Sequence, residues 1–156
     1  MYRRLEERRG QAGFTLIELM AAVLIIGILL AIAIPTFLGA RSRAQDGAAK
    51  SSLRNALTAA NVIYTDATTY ATATHTNLAA AEGSLLFSTA ATASTGPNAI
   101  SVNPASASSW YGAALSQSGT CFMIWAQGSG SVQYHKTTSG SCSGQAAAAI
   151  ATYTGW

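Results

Sequence analysis

The ionisable and nucleophilic side chains decide first which chemistry the chain could perform. After residue 40, the carboxylates are Asp46, Asp66 and Glu82, and the histidines are His75 and His135. Neither histidine has a cysteine or a carboxylate at metal-ligand spacing, and no Gly-x-Ser-x-Gly motif occurs. A calcium loop needs six or more oxygen ligands, several of them charged, and three dispersed carboxylates do not supply them. The sequence therefore predicts no catalytic residue, no metal, no cofactor and no enzyme activity.

One carboxylate lies within an apolar segment, where proteins rarely place a charged side chain. Glu18 is the only charged residue between positions 14 and 40, in a run made mainly of Leu, Ile and Ala. A carboxylate in such a segment costs several kcal/mol unless it is neutralised or paired. Glu18 is therefore either a boundary charge that reaches water, or a group that awaits a cationic partner.

The apolar run that contains Glu18 is long enough to cross a membrane. Hydrophobic residues make up 49% of the chain and charged residues only 10%. As a helix, residues 14–38 would extend roughly 37 Å, against a hydrocarbon core of about 30 Å. Four arginines precede the run, Arg3, Arg4, Arg8 and Arg9, and only two follow it closely. The positive-inside rule therefore places the N-terminus in the cytoplasm and everything beyond the run outside.

The remainder of the chain is weakly charged. Of the formal net charge of +3, residues 1–13 contribute +2, so the rest is close to neutral. Nucleic-acid binding usually requires Lys and Arg clustered on one face, so we predict no specific nucleic-acid partner.

The helix is predicted to continue beyond the apolar run. After Arg41, apolar residues recur at spacings of three and four as far as Tyr64, which predicts one helix over residues 14–66 with an amphipathic second half. Pro35 lies inside this helix, where it removes a backbone hydrogen bond and clashes with the carbonyl of Ala31. We therefore expect a kink or local melting over residues 31–35.

Four short strands are predicted after the Gly96-Pro97 loop. They are residues 99–103, 110–117, 121–127 and 132–137, separated by Pro104, Ser118-Gly119 and Gly128-Ser129-Gly130. The predicted fold is therefore α+β: a long N-terminal helix packed on a small antiparallel β-sheet, with aromatics such as Trp110 and Phe122 covering the helix stripe.

Cys121 and Cys142 are the two cysteines of the chain, and both fall in the exported half. An even pair outside the cytoplasm predicts a disulfide; the alternative is two free thiols in a reducing compartment. Closing a loop of about 22 residues would stabilise the exported domain by roughly 3 kcal/mol.

The sequence from Gly13 to Glu18 (Gly-Phe-Thr-Leu-Ile-Glu), with the apolar run and Pro35 behind it, resembles the class III signal of type IV pilins and pseudopilins. The resemblance covers residues 13 to about 65 closely. Loosely, residues 63–66 and 78–85 resemble the helix-to-sheet connection of some Gram-positive pilins.

The resemblance implies a processing and assembly pathway. A membrane peptidase and methyltransferase would cut between Gly13 and Phe14 and methylate the new Phe14 amine. That amine would pair with Glu18 of a neighbouring subunit. The resemblance thus implies that Glu18, Phe14 and Pro35 are assembly residues. The implied partners are other pilin subunits, the peptidase, a pilus assembly platform and the membrane. The product would be a cell-surface pilus filament that serves motility, adhesion, DNA uptake or secretion.

The same resemblance implies a division of the chain. Residues 1–13 would be a removed leader, 14–40 a transmembrane and filament-core helix, 41–66 its amphipathic continuation, and 67–156 an exported β-rich head with a C-terminal disulfide loop.

Three alternatives remain. The chain could be a pseudopilin of a type II secretion or DNA-uptake system. It could be a single-span membrane protein that displays a small adhesive or ligand-binding domain without polymerising. The third is an ordinary secretory signal that is cut after Ala33. However, the apolar region of such a signal does not begin with a glutamate, and here the apolar pattern continues past the cut through Ile34, Phe37 and Leu38.

Overall fold

The computed structural model describes residues 13–156, which form two compact units that divide between Gly39 and Ala40. The predicted leader, with its four arginines, lies outside the described residues except for Gly13. One helix, α1 (Leu16–Ala67), runs through the division. After it come a 3-10 turn (Tyr70–Thr72), α2 (His75–Ala81), five strands and α3 (Gly144–Ala148); the strands are β1 (Leu86–Ser88), β2 (Ala99–Asn103), β3 (Ser109–Leu115), β4 (Cys121–Gln127) and β5 (Val132–Thr137).

The first half of α1 is exposed on every side in the single chain. It contains the one helix segment among the described residues that is long and apolar enough to cross a membrane, with a mean hydropathy of 2.9 over its best window. Leu favours this helix because it loses little rotamer freedom there, whereas the β-branched Ile loses χ1 freedom and has a slightly lower helix propensity.

Pro35 does not interrupt α1, so the local melting predicted for residues 31–35 is wrong, and the kink stays a prediction. The Thr36 hydroxyl donates to the carbonyl oxygens of Ile32 and Ala33, at 3.2 and 2.9 Å. The carbonyl that loses its backbone donor through Pro35 is that of Ala31, so these two bonds add to the hydrogen bonds of the helix and do not replace the lost one.

The second half of α1 buries one stripe, as its spacing predicts. Its buried residues recur at three and four positions, namely Ala49, Ser52, Leu53, Ala56, Leu57, Ala59 and Ala60. Ala44, Ala48 and Val62, which the same spacing assigned to the stripe, are exposed. Small alanines let the helix lie close to the sheet, and Leu53 reaches Gly112, where an added Cβ would meet the Leu53 side chain at 3.1 Å.

The sheet has the order β1-β2-β3-β4-β5, with β1 parallel to β2 and every other pair antiparallel. The predicted four-stranded meander is confirmed, with β3 at residues 109–115 rather than 110–117. Neither β1, which adds a parallel edge, nor α3 was predicted.

Both faces of the sheet are covered. On the face toward α1, Ile100, Ala114 and Phe122 form one cross-strand row that is fully buried. On the opposite face, Ala113 and Met123 pack with the segment that starts at Cys142. The α+β fold predicted from the sequence is therefore confirmed, with an additional layer behind the sheet.

Candidate functional site

The predicted cleavage junction is sterically open. A Cβ added at Gly13 would have nothing within 4 Å, and the Phe14 side chain is 91% exposed. Neither residue therefore makes a packing contact on which the fold of residues 13–156 depends.

Glu18 forms a capping box with Thr15 at the start of α1. The Thr15 backbone N–H and hydroxyl both donate to Glu18 Oε2 at 2.8 Å, and the Glu18 N–H donates to Thr15 Oγ1 at 3.3 Å. This Thr-x-x-Glu arrangement satisfies donors that the first turn of a helix leaves free. A carboxylate near a helix N-terminus is also favoured by the helix dipole.

The capping box changes the interpretation of Glu18. Sequence reasoning treated the carboxylate as unpartnered and missed the Thr15-Leu16-Ile17-Glu18 capping signature. Both Thr15 bonds go to Oε2, so the box orients the side chain and engages one of its two oxygens. Glu18 can therefore cap its own helix and present Oε1 to an external cation.

The cysteines form the predicted disulfide. Cys121 and Cys142 are bonded, with their Cα atoms 5.5 Å apart. The bond joins the start of β4 to the segment behind the sheet. That segment also bonds to the neighbouring loop and to β2, since Ser94 N–H donates to the Cys142 carbonyl at 2.7 Å and Gly144 N–H to Ser101 Oγ at 2.8 Å.

Three of the polar groups that could do chemistry, Asp46, Glu82 and His135, have structural partners. The Asp46 Oδ1 accepts from Ser116 and Ser118, Glu82 accepts from Ser84, and His135 lies 3.3 Å from the Thr154 hydroxyl. The Ser84 hydroxyl and backbone N–H lower the pKa of Glu82 because they stabilise its charged form. Among residues 13–156, no three His, Cys, Asp or Glu side chains gather as they would around a metal ion.

The fold and this N-terminal site define a class: an α+β protein whose single long helix begins with a capped, exposed and apolar segment. Comparison of the sequence with known proteins agrees with this class. Residues 8–34 match the family model described as the prokaryotic N-terminal methylation motif. The chain is also 47% identical over 58 residues to the type IV major pilin protein PilA of Myxococcus xanthus (strain DK1622).

That similarity covers 37% of this chain and 26% of the relative's length, so the chain matches about a quarter of that pilin. No solved structure matches the chain significantly. The resemblance to the type IV pilin family is therefore confirmed over the segment that carries it. The likeness of the helix-to-sheet connection to Gram-positive pilins stays a prediction.

Proposed function

We propose that this protein is a structural subunit of a type IV pilus-like filament and polymerises through α1 after its leader is removed. The observation that carries the proposal is the exposed apolar half of α1, headed by Glu18. An apolar surface of this extent has no partner within the described residues and needs one outside them.

Two environments could cover that surface in succession. Before assembly the segment spans the membrane, with the N-terminus in the cytoplasm and residues 41–156 outside. In the filament it packs against the same segment of other copies. Small residues such as Ala21, Gly27 and Ala31 would allow close approach of helices there.

Leader removal would supply the cation for Glu18. A cut after Gly13 leaves a Phe14 amine, and a free α-amino group has a pKa of about 8, so the amine is charged at neutral pH. When the amine of one subunit meets Glu18 of another, two groups that are expensive to bury alone are buried as a pair. The contact would then report correct axial register between subunits.

The proposed processing partner is a prepilin peptidase and methyltransferase, and the proposed polymerisation partners are further copies and an assembly platform. The role is structural rather than catalytic. A pseudopilin role stands beside the pilus role, and the small number of carboxylates, which argues against a calcium loop, favours the pilus.

Mass spectrometry of the mature N-terminus tests the proposal. The chain purified from its own membrane or filaments should begin at Phe14 with a methylated amine. A chain that begins at Met1, or after Ala33, would contradict it and would favour the non-polymerising single-span protein or an ordinary secretory signal.

A further inference from the structure

A cleft of about 460 Å3 opens between the second half of α1 and the β4–β5 side of the sheet. Asp46 and Lys50 line it from α1, Phe122 from β4, and Lys136 and Thr138 from β5 and the residues after it. It lies wholly within residues 40–156, and the proposed filament role uses none of these side chains.

Three cations gather at this cleft. Residues 40–156 contain five Lys and Arg, and three of them, Lys50, Arg54 and Lys136, lie in or beside it. Phe122 and Lys136 are cross-strand partners, so their side chains leave the sheet on the same face, toward Lys50. A domain with so few charges has thus concentrated most of its positive charge at one place.

Aromatic rings hold two of these cations. Lys50 Nζ lies 4.9 Å from the ring centroid of Phe122 and 5.4 Å from that of Trp156, and Arg54 Cζ lies 5.2 Å from Trp156. Trp156 is itself fixed, because its indole N–H donates to the Met123 carbonyl at 3.1 Å. Cation–π contacts offset part of the repulsion between neighbouring cations and order them for a ligand.

Beside the cations, Asp46 provides a carboxylate that can accept hydrogen bonds from hydroxyl groups of a ligand. The Ser116 and Ser118 hydroxyls both donate to Oδ1, and within residues 13–156 no hydrogen bond to Oδ2 is formed. Threonine hydroxyls of Thr120 and Thr138 complete the polar lining. A ligand for this cleft must therefore bring one anionic group for the lysines and hydroxyl donors for the carboxylate.

We propose that the cleft binds an acidic saccharide, a sugar unit that carries a carboxylate. Lys50 and Lys136 would bind the sugar carboxylate, and Asp46 and the threonines its hydroxyls. The cleft, at about 460 Å3, falls within the usual range for small-ligand sites of about 300–1,000 Å3. The backbone of a DNA duplex fits less well, because it offers phosphates to the lysines but no free hydroxyl groups along its length that could donate to Asp46.

The test is calorimetric titration of the full-length chain in neutral detergent. The probes are a galacturonate oligosaccharide, a neutral malto-oligosaccharide of equal length and a short DNA duplex. The galacturonate should bind and the other two should not. The Lys50→Gln/Lys136→Gln variant should bind galacturonate about tenfold or more weakly, since two charged hydrogen bonds are lost.

The matched control is Arg41→Gln/Arg43→Gln, which removes the same charge outside the cleft and should change the affinity by less than about twofold. If the double lysine variant does not fold, Lys136→Gln alone decides, because that side chain is exposed. The proposal fails if wild type does not bind galacturonate, if both double variants lose affinity equally, or if DNA binds as tightly. Filament assembly is not needed for any of these measurements.

Discussion

The two units of the chain differ in how far they bury the same residue types. Leu24, in the first unit, is 65% exposed, whereas Leu53, in the second, is completely buried. The second unit has a core between α1 and the sheet, another cluster behind the sheet, and a disulfide. Between residues 13 and 39, the first unit has hydrogen bonds only within its own helix and cap. Stability is thus internal in the second unit, whereas the proposed function assigns the stability of the first unit to lipid or other copies.

This difference predicts that mutations will separate by unit. Substitutions before residue 40 should change processing and assembly and leave the folded domain intact. Substitutions after residue 40 should change the free energy of unfolding and leave membrane insertion intact.

The largest effect is expected at Gly13. Replacement by a bulky residue, as in Gly13→Leu, should leave uncut precursor in the membrane and abolish filaments, because a peptidase that accepts glycine has no room for the added side chain. The structure removes one competing explanation, since a Cβ at Gly13 meets nothing within 4 Å in the chain itself.

Immunoblots of membrane fractions and filament yield measure that effect. Gly10→Leu, three residues away from the proposed cut, is the matched control and should be processed. Normal filament yield from Gly13→Leu would refute the processing site.

Glu18 should show the next largest effect, and its capping box allows charge and cap to be separated. Glu18→Ala should be inserted and cut but enter filaments poorly, because the Phe14 amine of another subunit would be buried unpaired, at a cost of several kcal/mol. Glu18→Gln keeps a side chain that can complete the box with Thr15 but removes the charge.

The comparison of three variants identifies the function of the carboxylate. If the charge drives assembly, Glu18→Gln should be nearly as defective as Glu18→Ala, and Thr15→Val, which loses the hydroxyl but keeps Glu18, should assemble much better. Should Glu18→Gln polymerise at the wild-type level, Glu18 acts as a cap or a boundary charge, and the register mechanism is wrong.

Most of the architecture could be predicted from sequence because it rests on periodic patterns. The helix follows from its apolar run and its later spacing, and β2, β4 and β5 follow from short segments with aromatic or β-branched residues between turn residues. β1 was missed because its three residues carry no measurable period and pair with β2 across a loop. α3 was missed because its place depends on a disulfide and on close contact at Gly144, which only the folded chain shows.

The candidate sites divide in the same way. Gly13, Phe14 and Glu18 are contiguous, so a motif reveals them. The cation cluster combines Lys50 and Arg54 of α1 with Lys136 of β5, which are far apart in the chain and lie at one cleft only because α1 packs on the sheet. Near-neutral net charge concealed it, because composition reports how many charges exist and not where they gather.

The third effect concerns the disulfide and should stay within the second unit. Replacing Cys121 and Cys142 by serine should lower the free energy of unfolding by roughly 3 kcal/mol, since the closed loop spans 21 positions. Membrane insertion and cleavage should be normal. Denaturant unfolding of the full chain in detergent measures the loss, and strong thiol labelling of native wild-type protein would contradict the disulfide itself.

A smaller loss is expected from Gly144→Ala. The added Cβ would lie 2.7 Å from the Val102 carbonyl carbon and 2.8 Å from the Asn103 nitrogen, which are backbone atoms of β2 and its end. We expect a destabilisation of about 1–3 kcal/mol from this overpacking. Gly83→Ala, which meets nothing within 4 Å, is the matched control and should change stability by less than about 0.5 kcal/mol. Equal stability of the two variants would mean that the segment behind the sheet is not held closely.

The smallest effect is a pH dependence that again should belong to the second unit alone. Burial, followed by the nearby Tyr111, raises the pKa of the Tyr153 hydroxyl well above its usual range, and the hydroxyl donates to the Ala147 carbonyl at 2.7 Å. A tyrosine in the unfolded chain has a pKa of about 10, so the contribution of Tyr153 to the free energy of unfolding is complete below that pH and is lost as the pH rises above it.

Tyr153→Phe should therefore be slightly less stable at pH 7, through the lost hydrogen bond, yet lose less stability between pH 9 and 11. Denaturant midpoints across that pH range, for wild type and variant in the same detergent, measure the two slopes. Parallel curves would show that Tyr153 is not buried enough to resist ionisation.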